Sequence, residues 1–92
     1  MYGVRIIVDD KIDIKIFETP SLAQERFRQG WAQAYDGEFD SIALFLVKNA
    51  NDVRDAAEAI RFGEKERIEL LDIQESRDKI FAKLTQKIRI EL

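Results

Sequence analysis

Six consecutive apolar residues, Ile42-Ala43-Leu44-Phe45-Leu46-Val47, stand between Asp40-Ser41 and Lys48-Asn49. A half-buried strand alternates apolar and polar side chains, whereas a run without alternation needs cover on both faces. The segment therefore predicts the central strand of a sheet with other elements packed above and below it. The rest of the 92-residue chain has to supply those layers, and a chain of this length forms a single domain, residues 1–92.

The first 18 residues supply strand partners. Tyr2–Val8 and Ile12–Phe17 are rich in β-branched residues and flank a polar turn, Asp9-Asp10-Lys11, which predicts a hairpin. Val4, Ile6 and Val8 share one face of the first run, and Ile12, Ile14 and Ile16 share one face of the second. The expected hairpin has one buried side and one wet side.

Two amphipathic helices follow from spacing and end signals. Thr19-Pro20 pairs an N-cap residue with a proline at the first helical position. From there to Asp36, Ala23, Phe27, Trp31 and Tyr35 recur at four-residue steps, widened by Leu22, Gly30 and Ala34. Gly30 inside a helix costs about 1 kcal/mol relative to alanine, an expense that close approach to a neighbour offsets. Asn51 is expected to cap a second helix to about Phe62, with Val53, Ala56, Ala57 and Ile60 on its inner stripe and Gly63 as its stop.

Beyond Gly63 two readings compete. Either Arg67–Leu71 is a short strand followed by a helix from about Gln74 to Thr85, or one long helix runs from Glu64 to Lys87. The break in the helical stripe at Glu69–Asp72 favours strand then helix, with Asp72 and Glu75 as a capping pair. Ile88-Arg89-Ile90-Glu91-Leu92 alternates and reads as a terminal strand. The expected fold is α+β in ββαβαβαβ order: a four- to five-stranded mixed sheet with an N-terminal hairpin, Ile42–Val47 central, and two to three helices packed on it.

Composition narrows the chemistry. The chain has neither cysteine nor histidine, which excludes disulfides, thiolate nucleophiles, Cys/His zinc sites and imidazole general bases. No apolar run approaches the ~20 residues needed to span a bilayer, and a signal-peptide layout is lacking, so a cytoplasmic setting is expected. Net charge is −3 and unevenly spread. Residues 1–35 are neutral, residues 36–75 carry −6 and residues 76–92 carry +3. Such an asymmetry orients a partner or a second copy of the chain.

Two clusters merit weighing. Asp9, Asp10, Asp13 and Lys15 resemble the acid and Asp-x-Lys pattern of metal-dependent nucleases, but the first acids lie in the hairpin turn itself. A solvated turn fits better. Asp36, Glu38 and Asp40 lack the glycine and distal glutamate of a calcium loop, since Ser41 and Val47 occupy those places. The glycines are isolated, which rules out a phosphate-cradling loop, and no serine has a histidine to activate it. No catalytic, metal or cofactor residues are therefore assigned.

The functional expectation is a non-enzymatic protein-interaction or regulatory module, a small adaptor or inhibitor acting as a homodimer. Its candidate interface is Phe27, Trp31 and Tyr35, because aromatic side chains with polar tips suit interfaces. Ile88, Ile90 and Leu92 join them as a strand edge open to pairing, with Arg89 opposite Glu91 across a two-fold. The alternative is a nucleic-acid-associated protein using Arg77, Lys79, Lys83, Lys87 and Arg89. Those cations lack interleaved aromatics and make a small footprint. A carboxylate- or metal-dependent enzyme at Asp9, Asp10 and Asp13 is the third class.

Overall fold

The computed structural model describes the backbone of residues 1–91 and the side chains of residues 1–85. Seven elements follow one another: β1 (Tyr2–Val8), β2 (Lys11–Phe17), α1 (Pro20–Tyr35), β3 (Ser41–Val47), α2 (Val53–Arg61), β4 (Ile68–Glu75) and α3 (Arg77–Glu91). The four strands form one sheet in the order β2-β1-β3-β4, a mixed α+β fold.

Every neighbouring pair is antiparallel, so the sheet is not mixed as expected. The reason is connectivity. α1 carries the chain from β2 past β1 to β3, which runs parallel to β2 but does not adjoin it. α2 then returns the chain to the end of the sheet that it left, where Val47 pairs with Ile68.

β3 is covered on both faces, as its uniform apolarity requires. Ile42 and Leu44 join Val4, Ile6, Ala23, Phe27 and Ala34 in the core beneath α1. Ala43, Phe45 and Val47 join Ala56, Ala59 and Ile60 beneath α2. The helices sit close. A Cβ at Gly30 would lie 2.5 Å from the Ile42 Cδ1 atom, and one at Gly3 would run into Ile60. Glycine inside α1 is thus explained by contact with β3.

The hairpin departs from the expected one-sided pattern. Its turn is Asp9-Asp10 alone, both with positive φ (48° and 67°), as a two-residue type I′ turn requires. Val8 therefore pairs with Lys11 and Val4 with Lys15. A one-residue change of register moves a whole strand's side chains to the other face. As a result Val4 packs under α1, while Ile14 and Ile16 pack against the α2-side core. Both faces of the hairpin are used.

Helix boundaries are set by side-chain caps. The Thr19 hydroxyl accepts from the Leu22 N–H, with Pro20 opening α1. Asp52, not Asn51, caps α2 by accepting from the Asp55 N–H at 2.7 Å. The buried stripe of α1 is Ala23, Phe27, Gly30 and Ala34. Constant four-residue steps drift about 40° each around a helix, which is why Trp31 and Tyr35 fall to the flank. In α2, Ala56, Ala59 and Ile60 are buried and Val53 is exposed.

The last third resolves as strand then helix, with longer bounds than expected. β4 continues to Glu75, and Ser76 accepts from the Lys79 N–H at the start of α3. Asp72 and Ile73 belong to the strand and not to a helix start. The terminal strand expected from residue 88 is replaced by helix as far as the described residues go, because α3 stays helical through Glu91. Leu84 and Ile88 continue the four-residue spacing from Ile80, with no glycine or proline to stop it. Leu92 and the side chains of Lys87, Ile88, Arg89 and Ile90 lie outside the described residues.

Candidate functional site

β4 is an outer strand, so its far edge presents backbone N–H and C=O groups without a ladder partner. Its sequence, Ile68-Glu69-Leu70-Leu71-Asp72-Ile73-Gln74-Glu75, gives it apolar side chains on both faces. The register shifts opposite Leu44 and Phe45, where Asp72 and Leu70 pair with consecutive β3 residues and Leu71 is the extra one. Such a bulge re-aims a side chain. Leu71 is turned to the α1 side and stands 45% exposed.

There it lines a groove of about 480 Å³ with Phe27, Trp31, Leu44 and Asp72, between α1 and β4. Trp31 is 43% exposed and stacks on Tyr35, with ring centroids 5.4 Å apart and planes 6° from parallel. Further along, Tyr35 shares a second hollow of about 340 Å³ with Ile80, Phe81 and Leu84 of α3. Phe81 is 71% exposed. An apolar strip thus runs from Leu71 over the stacked pair to the first turns of α3. Scattered apolar residues are normal on any surface, but a contiguous strip marks a contact site.

The expected aromatic ladder divides. Phe27 belongs to the core, while Trp31 and Tyr35 face outward as a pair. Leu71 and Phe81 were not legible as interface residues from sequence. The bulge that exposes Leu71 has no local signature, and Phe81 reads equally as core.

The basic stripe is partly tied to the body of the protein. Lys83 donates to both carboxylate oxygens of Glu75 at 2.8 and 2.9 Å, and Lys79 lies 3.7 Å from Asp40. Asp40 also accepts from the Asp9 N–H at 3.0 Å, and its own N–H donates to the Ile7 carbonyl. The two acidic clusters of the sequence are therefore neighbours through the hairpin turn. Among the described residues, no three carboxylates are grouped to hold a metal ion.

One further polar group holds the start of β4. The Arg67 guanidinium forks onto Asp55, Nη1 to Oδ1 at 3.1 Å and Nη2 to Oδ2 at 2.5 Å, and also reaches Glu64 at 3.0 Å. These bonds hold the Asp55 carboxyl below the usual carboxylate range, aided by the Asn51 N–H and opposed by desolvation. Arg67 is raised by the same pairing. The fork is structural: it ties the α2 N-terminus to β4.

No known protein family, curated protein or solved structure matches this chain. None of the described helices is long and apolar enough to cross a membrane.

Proposed function

We propose that this protein is a protein-interaction module whose working surface is the open edge of β4 with the Leu71–Trp31–Tyr35 strip beside it, and that its first partner is a second copy of the chain. The observation that carries the reading is the exposure of Leu71 and the stacked Trp31–Tyr35 pair next to an uncapped strand edge. Two-fold pairing of β4 with β4 extends the sheet and covers these side chains together. Antiparallel pairing also sets the α3 end of one strand beside the Arg67 end of the other. Arg77 and Lys79 then approach Glu66 and Glu69 of the second copy, which fits the opposite charges of residues 36–75 and 76–92. Regulatory or adaptor work in the cytoplasm is part of the reading, supported by a cysteine-free chain and by an active-site vocabulary that lacks imidazole and thiol.

Light scattering over a wide concentration range tests this. The wild type is expected to reach twice its monomer mass, and Leu71→Glu to remain monomeric with an unchanged melting temperature. Trp31→Ser weakens association less, since Tyr35 and Leu71 remain. A wild type that stays monomeric to millimolar concentration overturns the reading.

A further inference from the structure

The sheet's other face carries a second feature, independent of the Trp31 strip. Strand register places three rows of side chains there: Ile16, Gly3, Phe45 and Leu70; then Ile14, Arg5, Ala43 and Ile73; then Ile12, Ile7, Ser41 and Glu75. α2 lies over the β2, β1 and β3 members of the first row, with Ile60 against Gly3. Beyond it Ile7 is only half-buried, and Ile12, Leu70 and Ile73 are exposed. This half of the face is broad and apolar instead of enclosed.

Arg5 stands at its centre. Its guanidinium carbon lies 5.1 Å from the centroid of the Phe45 ring, and its Nε is buried without a hydrogen-bond partner. Among the described residues no carboxylate pairs with Arg5, although a guanidinium partly drawn out of water gains from a paired acid. The nearest acid in the rows, Glu75, is already engaged by Lys83. Partial burial lowers the Arg5 pKa by disfavouring the charged form.

We propose that this half-face seats an amphipathic helix of another protein, which lays apolar side chains on Ile7, Ile12, Leu70 and Ile73 and sets a carboxylate on Arg5. A helix fits the dimensions. From β2 to β4 the face spans three strand spacings, about 14 Å, against a helix diameter of about 10–12 Å, and α2 already packs on the same face. A carboxylate fits the charge, because a single unpaired cation among isoleucines suits one acid and not a row of phosphates. The proposal rests on the interaction reading only in taking a protein as partner; its surface is a different one.

Two measurements test it. The first is thermal unfolding of Arg5→Met. Methionine keeps an unbranched stem over Phe45 and removes the unpaired charge, so the variant is expected to melt at or above the wild-type temperature. A clear fall would make Arg5 a residue of the fold and overturn the proposal. The second uses a designed helical peptide with one glutamate flanked by leucines at helical spacing, and a twin with glutamine in its place. Titration followed by the Arg5 Nε–H resonance and the amides of Ile7, Ile12 and Ile73 is expected to saturate with the glutamate peptide. The twin is expected to bind about ten-fold more weakly, a difference that vanishes in Arg5→Met. Equal binding of the twins, or shifts confined to Trp31 and Leu71, overturns the proposal. Loss of self-association in Arg5→Met also overturns it, by assigning this face to the dimer, whereas Leu71→Glu reports on the dimer alone.

Discussion

The two outer strands of the sheet have similar apolar content but differ in cover. β2 contributes Ile12, Ile14, Ile16 and Phe17; β4 contributes Ile68, Leu70, Leu71 and Ile73. On β2, Ile14 and Ile16 pack against the α2-side core and Phe17 against the α1-side core. Lys11, Asp13 and Lys15 are spaced along that strand, the ordinary protection of an edge. On β4 only Ile68 packs into a core cluster, and the other three stay exposed. Its charges are all carboxylates, Glu69, Asp72 and Glu75. The difference lies in the neighbours and not in the strands. Helices sit over both faces of β2, whereas α1 only borders β4 and α2 meets it chiefly at Ile68. A strand of such apolarity left open on both faces is what an unfinished layer looks like, and it is the physical basis for placing contacts there.

The sharpest way to break this comparison is to truncate one residue on each side. Ile60 of α2, fully buried over the β2 side, is expected to cost about 2–5 kcal/mol when replaced by alanine, through lost burial and the cavity left behind. Leu70→Ala is expected to stay within about 0.5 kcal/mol, as for other surface changes. Urea midpoints measured on dilute protein, where association does not contribute, give both values. Comparable losses would mean that β4 is covered after all.

A smaller effect probes the β2 side. Asp10 holds φ at 67°, a conformation that favours glycine and that aspartate tolerates at some cost. Asp10→Gly is expected to stabilise the hairpin by up to about 1 kcal/mol, with the Val8–Lys11 pairing unchanged in nuclear Overhauser contacts. A loss of stability would show that the Asp10 side chain, and not the turn geometry, holds the register.

The same turn shows where the sequence was legible and where it was not. Ile42–Val47 identified itself as an interior strand because nothing but two-sided cover explains six apolar residues in a row. Thr19-Pro20 and Gly37 bounded α1 through local chemistry that tertiary contacts do not alter. Asp9-Asp10-Lys11 was harder, since two- and three-residue turns suit the same polar residues yet assign Ile14 to opposite faces. At β4 the bulge at Leu71 interrupts the period of two, so Ile73 read as the start of a helix. At the C-terminus, five alternating residues fitted a strand equally well, and the helical spacing of Leu84 and Ile88 decided otherwise. Of the candidate interface, Trp31 and Tyr35 were visible as an aromatic pair. Leu71 and Arg5 depend on register, which no short window of sequence contains.

The smallest expected effect concerns the polar lock that gives β4 at one end what helices give β2 along its length. Arg67 accepts the Lys48 N–H on its carbonyl at 2.7 Å, in addition to its fork on Asp55. The Asp55 carboxyl is held below its ordinary value first by the Arg67 guanidinium and then by the Asn51 N–H. A group depressed on folding contributes stability that is present above its unfolded pKa, near 4, and is lost as pH falls through the folded value. Asp55→Asn removes that contribution. Its stability gap to the wild type is therefore expected to be widest at neutral pH and to close as pH drops below about 4. Urea midpoints of both proteins across that range measure it, and hydrogen exchange at Lys48 reports the strand end directly. A gap that stayed constant into acid would assign the loss to the shape of the side chain and not to its charge.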